Sequence, residues 1–208
     1  MARAFTETEK KRIRTALIRA MSESIAEKGL KKTSIECVVK GARISKGAFY
    51  LFYESKEMLV LDAIRSVQEV ARTRLVKILE PPGKNPTKIM RRFVAGLFDV
   101  FEEFPIMKEI SKVDVISDLL RSLPEEAIRK EYESDEHFFG WFHKKLLERR
   151  IIHNVDKKVV AGLPRMILAL IMNRQMIGAD RFNKLKALLI TGISKELTHK
   201  GSRKEAQI

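Results

Sequence analysis

Apolar residues recur at three- and four-residue steps through most of the chain, and no stretch alternates apolar and polar residues between hairpin signals. That spacing matches the α-helical turn and argues against half-buried strands, so an all-α fold is predicted. The clearest interruption is Pro81-Pro82-Gly83-Lys84-Asn85-Pro86. Proline supplies no amide donor and restricts the residue before it, so no helix runs through this segment. Ahead of the break, Ile13, Leu17, Met21 and Ile25 line one face of a first helix, which Gly29 should end in a left-handed backbone. A second helix is expected from Thr33, where Thr33-Ser34-Ile35-Glu36 has the form of a capping box. A short third helix follows from Ser45 and a long fourth from Ser55 to about Leu79. Beyond the break, helices are expected at about 87–104, 106–122, 125–150, 156–178 and 180–199.

Charge narrows the function. Lys and Arg number 41 against 27 Asp and Glu, a formal net charge of +14, which attracts polyanions and nucleic acid first among them. A solvated basic surface is the plainer explanation. Cys37 is the only cysteine, which excludes an intrachain disulfide and a cysteine-based zinc site. His137, His143, His153 and His199 are spaced unlike metal ligands, so no metal and no cofactor is expected. There is no glycine-rich phosphate loop, no HExxH and no nucleophile elbow, hence no catalytic residue to nominate. The longest apolar run, Met166–Met172, is too short to span a bilayer. The opening MARAFTETEKKRIR lacks the apolar stretch of a signal peptide, so a cytoplasmic location without membrane attachment is expected.

Residues 33–53, TSIECVVKGARISKGAFYLFY, hold the parts of a helix-turn-helix in order. Ile35, Val38 and Val39 give the first helix a buried face, and Gly41-Ala42-Arg43-Ile44 can turn. Ser45 suits an N-cap. Lys46, Gly47 and Ala48 then form a first turn with little bulk to obstruct DNA, while Phe49 and Tyr53, four apart, face the core. Tyr50 must point elsewhere, with its hydroxyl free for a phosphate. Lys56 adds a full charge to the partial positive charge at the start of the fourth helix. An amphipathic hairpin with solvated lysines fits the same pattern.

The run Thr33-Ser34-Ile35, Ile44-Ser45-Lys46-Gly47-Ala48-Phe49-Tyr50 and Ser55-Lys56-Glu57-Met58-Leu59 closely resembles the N-terminal signature of the TetR (tetracycline repressor) family of bacterial regulators. The likeness extends from about Ile13 to Leu61. It implies a DNA-binding domain over residues 1–55 and a helical regulatory and dimerisation domain over 56–208. It implies a cytoplasmic, ligand-responsive repressor that binds a palindromic double-stranded operator as a homodimer. Thr33 and Ser34 would contact phosphate, Lys46, Gly47 and Ala48 would lie over base edges, and Tyr50 and Lys56 would hold the backbone. Ser45 joins the DNA-binding set as the cap of the recognition helix. Two departures join it as well: Arg43 stands where the family has a turn glycine, and Phe52 where a hydrogen-bonding residue is common.

For the regulatory half, the resemblance implies dimerisation and a small apolar or amphipathic ligand. Residues 156–178 are apolar on nearly all sides, which suits a dimer interface or the central helix of a monomer core. Pro164 predicts a kink or a late start. Pocket candidates are Phe93, Leu97, Phe101, Met107, Phe138, Trp141, Phe142, Met166 and Leu170, and ordinary core packing accounts for them equally well. An architectural protein binding any duplex alike is the rival to a specific regulator.

Overall fold

The computed structural model describes residues 5–80 and 85–199, and the described residues form helices and turns with no strand. The elements are α1 (Glu7–Lys28), α2 (Ile35–Ala42), α3 (Lys46–Phe49), α4 (Lys56–Ile78), α5 (Pro86–Glu103), α6 (Pro105–Ile110), α7 (Val113–Ser122), α8 (Glu125–Glu148), α9 (Lys157–Met172), α10 (Arg174–Ile177) and α11 (Ala179–Leu197). Pro81–Lys84 lie outside the described residues; Asn85 accepts the Lys88 amide on its side chain, and Pro86 occupies the first turn of α5, where a missing donor is harmless.

The chain forms two compact units, one of residues 1–70 and 100–128 and the other of 71–99 and 129–208. Unlike the boundary expected after residue 55, the first unit includes α6, α7 and the first fifteen residues of α4. In it α1 packs on α2 and α6, around Leu17, Met21, Val38, Phe49, Leu59 and Ile106, all essentially inaccessible. Glu109 on α6 accepts the Leu30 amide at 3.0 Å, and Lys31 pairs with Asp114 on α7 at 2.5 Å. The second unit buries Met90, Phe93, Val94, Phe98, Phe142, Leu146, Val160 and Ile167, with the Phe93 and Phe142 rings stacked at 4.7 Å.

Two expected helices are each broken in two. The span 106–122 divides at Ser111-Lys112 into α6 and α7. The burial pattern explains the division: Ile106, Met107 and Ile110 are buried before it, Val115 and Leu119 after it. On one straight helix those two sets would face opposite sides. The span 156–178 divides at Asn173 into α9 and α10, and Pro164 sits inside α9 rather than at its start. Nor is α9 covered all round. Val160, Leu163 and Ile167 are buried, but Val159 is 47% and Met166 38% exposed.

Candidate nucleic-acid interface

Gly29 ends α1 with φ 79° and ψ 164°, a positive φ as expected but extended rather than left-handed helical. The chain then enters α2 through Ser34, not Thr33. Ser34 is the N-cap, its hydroxyl accepting the Cys37 amide, while Thr33 is 1% exposed. The Thr33 hydroxyl donates to the Gly29 carbonyl at 2.9 Å and lies 3.1 Å from the Ser24 hydroxyl. A threonine so placed ties α2 to the end of α1 and has no side-chain surface to offer a phosphate. The capping-box expectation fails for the same reason: Glu36 does not reach back to Thr33 but forward to Lys46, donor to acceptor 2.6 Å.

Gly41 sets the approach of α2 to α1. A Cβ there would lie 3.0 Å from the Ala20 Cβ, closer than two carbons pack. Arg43 closes α2 at φ 57°, ψ 45°, the left-handed conformation that glycine adopts freely and other L-residues adopt at about 1–2 kcal/mol. Its amide donates to Lys40 and its side chain is exposed. Arg43 thus holds a backbone conformation that a turn glycine adopts freely, and it adds a cation to the turn's surface.

Ser45 caps α3, its hydroxyl accepting the Ala48 amide at 3.1 Å. The four-residue helix has two sharply different sides. Phe49 is fully buried, packed at 5.9 Å ring to ring with Tyr53, as their spacing predicts. Lys46 and Gly47 are exposed, Tyr50 just beyond the helix is 51% exposed, and Ala48 is half-buried. A Cβ on Gly47 would meet only the Ser45 Oγ, at 4.0 Å, so no contact within the protein requires glycine there. Phe52 is half-buried against Phe5, centroids 5.7 Å apart. Tyr53 donates to Asp62 at 2.9 Å; burial, then the Asp62 charge, pushes its phenol well above the usual tyrosine range.

Ser55 caps α4 by accepting the Met58 amide at 3.2 Å. Lys56, the next residue, donates to the Thr33 carbonyl at 3.3 Å, which brings the starts of α2 and α4 together. Ser34, Arg43, Ser45, Lys46, Gly47, Tyr50 and Lys56 thus all belong to one compact unit and retain exposed or half-exposed side chains or backbone. Sequence reasoning missed the ionic role of Glu36. Its carboxyl is held down to about 2 by the Lys46 hydrogen bond first, then by its own amide and the Ser34 hydroxyl. Only the geometry of the turn reveals a pair ten residues apart.

The pocket candidates are divided between the two units. Phe101 and Met107 are buried in the first unit, and the other seven belong to the second. Phe93, Leu97 and Phe142 are buried there, Phe138 packs on Phe142, and Trp141 and Met166 are exposed. Among the described residues no group of three or more His, Cys, Asp or Glu side chains is placed to hold a metal ion. Among them, too, no helix is long and apolar enough to cross a membrane.

A capped α2, a three-residue turn and a capped α3 with an open outer face define a helix-turn-helix protein. Residues 17–63 match the model of the tetR family of bacterial regulatory proteins. The chain is 34% identical over 93 residues to an HTH-type transcriptional regulator of Bacillus subtilis, YuxN, a match covering 45% of this chain and 30% of that relative's length. Among solved structures, a TetR-family regulator from Pectobacterium atrosepticum superposes with a TM-score of 0.68 at 15% identity, covering 96% of this chain and 100% of that one. RolR bound to resorcinol superposes with a TM-score of 0.60 at 15% identity, covering 96% of this chain and 99% of its own. The chain thus shares the fold of solved TetR-family regulators, and its match to the family's model covers residues 17–63.

Proposed function

We propose that the protein is a cytoplasmic, sequence-specific DNA-binding transcriptional regulator, a ligand-responsive repressor that binds a palindromic operator as a homodimer. The observation that carries the DNA-binding reading is α3, whose inner side is closed by Phe49 and whose outer side offers Lys46, a glycine the protein itself does not need, and the Tyr50 hydroxyl. In this reading Lys46, Gly47 and Ala48 lie over base edges in the major groove, with the Lys46 ammonium on guanine acceptors. Ser34, Tyr50 and Lys56 bind phosphates, Arg43 adds a phosphate contact from the turn, and Ser45 and Phe52 hold α3 in place. Residues 1–55 together with Lys56 supply these contacts, and the remainder of 56–208 supplies regulation and pairing.

The pairing surface is read from two matching stripes in the second unit. Val159, Gly162 and Met166 on α9, and Leu185, Leu188 and Gly192 on α11, recur along their helices at one-turn steps. The four large side chains are 38–66% exposed, and a Cβ at either glycine would meet nothing within 4 Å. Apolar stripes with glycines allow close helix approach, and a two-fold partner is the economical cover. The solved neighbour that carries resorcinol motivates the ligand, for which the Phe-rich interior of the second unit offers an apolar lining. Such a ligand controls DNA binding only by favouring one conformation over another.

The test is selection of bound duplexes from a random library, followed by titration of the selected and a scrambled duplex at matched salt. Affinity for the selected duplex at least about 1,000-fold above the scrambled one supports a specific regulator. Equal affinities would establish the architectural alternative.

A further inference from the structure

We propose that Glu36 is a positioning residue that makes Lys46 prefer base edges to phosphates. The inference rests on the DNA-binding reading above and deepens it. Glu36 is the second residue of α2 and Lys46 the first of α3, and their side chains meet across the turn at 2.6 Å while 62% and 54% exposed. The Lys46 hydrogen bond, the Glu36 amide and the Ser34 hydroxyl hold the carboxyl at about 2, so it is ionised throughout the neutral range.

A fixed negative charge beside the recognition helix opposes affinity for a polyanion. Its benefit lies in the choice of acceptor. An ammonium has three protons. With one on Glu36, two remain, enough for the N7 and O6 acceptors of guanine, which bring no formal charge to the site. A phosphate approaching the same ammonium brings a second anion close to Glu36 and is repelled. The carboxylate therefore penalises the wrong acceptor more than the right one, which is how a repulsive element produces specificity. It also restrains a long, flexible side chain in one direction before DNA arrives, so less rotamer freedom is lost on binding.

The experiment uses the full chain, a duplex selected from a random library and its scrambled counterpart, titrated across a salt series. Glu36→Gln keeps an acceptor for Lys46 but removes the charge. It should tighten binding to the scrambled duplex by about 3- to 10-fold and steepen its salt slope by up to about 0.9, as Lys46 moves to a phosphate. Affinity for the selected duplex should change by less than about 3-fold, and preference for guanine at one position in each half-site should relax. Glu36→Asp, which keeps the charge, should restore much of the ratio between the two duplexes. In a Lys46→Ala background, Glu36→Gln should leave that ratio unchanged. Because the side chain is exposed, thermal unfolding should stay at the wild-type midpoint. Equal factors on both duplexes, or the same loss of ratio without Lys46, would overturn the inference while leaving the DNA-binding reading intact. A wild-type protein without preference between duplexes would overturn both.

Discussion

In the first compact unit the helix-turn-helix buries Phe49 and Tyr53 and turns mainly polar or small residues outward, with Leu51, 74% exposed, as the large apolar exception. Phe49 and Tyr53 are buried, whereas Lys46, Gly47 and Arg43 face solvent. In the second unit the outward residues include large apolar ones, on α9 and α11. A monomer leaves single apolar residues exposed at little consequence, but two stripes of them require an explanation outside the chain. Under the proposed function the two surfaces take different partners: a charged polymer for one and an apolar surface for the other.

The strongest way to break the comparison is to damage the core of the second unit. Phe142 is fully buried and stacked on Phe93, so Phe142→Ala should destabilise the protein by about 3–5 kcal/mol in chemical denaturation. A value below about 1 kcal/mol would mean that this aromatic cluster is a loose pocket wall, not core. Next comes the apolar stripe. Met166→Glu combined with Leu188→Glu should shift sedimentation from dimer to monomer and weaken binding to a two-half-site duplex by about 100-fold, as the two half-sites become separate binding events. Unchanged sedimentation would remove these helices from the interface.

Gly47 separates stability from binding. Alanine there fits without a clash and improves helix propensity, so Gly47→Ala should hold or raise stability by about 0.5–1 kcal/mol. The added methyl should nevertheless weaken the selected duplex by about 10-fold, if the backbone approaches base edges closely. Loss of stability instead would assign the glycine to the fold. The smallest effect concerns pH. The Glu36 carboxyl is depressed, so any stability it adds is complete above its ordinary value near 4.5 and lost as pH falls towards about 2. Wild type and Glu36→Gln should therefore keep a small, constant difference in thermal midpoint between pH 6 and 8, which narrows only in acid.

The head was far more legible in sequence than the rest, for a local reason. Ser45, Phe49, Tyr53 and Ser55 act within a few residues of themselves, through caps and one-turn spacing, so their roles follow from order alone. Thr33 was misread because its alternatives, capping α2 or turning inward to Gly29 and Ser24, differ only in tertiary packing. The break between α6 and α7 was hidden likewise: Ile106, Ile110, Val113 and Ile116 continue one three- and four-residue pattern, and only the exposure of Val113 beside buried Val115 and Leu119 shows the change of phase. For α9, apolarity on all sides was visible, but which side stays open is set by tertiary packing, with Val160, Leu163 and Ile167 turned inward and Val159 and Met166 left outside. The Glu36–Lys46 pair needed the turn's geometry, since ten residues separate its members.

The central claim is that α3 reads sequence through Lys46 while Lys56 only holds the backbone. One measurement addresses it: affinities of wild type, Lys46→Ala and Lys56→Ala for the selected and scrambled duplexes across a salt series. Lys46→Ala should lose about 1–3 kcal/mol on the selected duplex and little on the scrambled one. Lys56→Ala should weaken both alike and lower the salt slope by about 0.9. If Lys46→Ala weakens both duplexes equally, Lys46 is a phosphate contact and base reading lies elsewhere. If neither substitution changes affinity while the fold persists, the helix-turn-helix is not the DNA-binding surface.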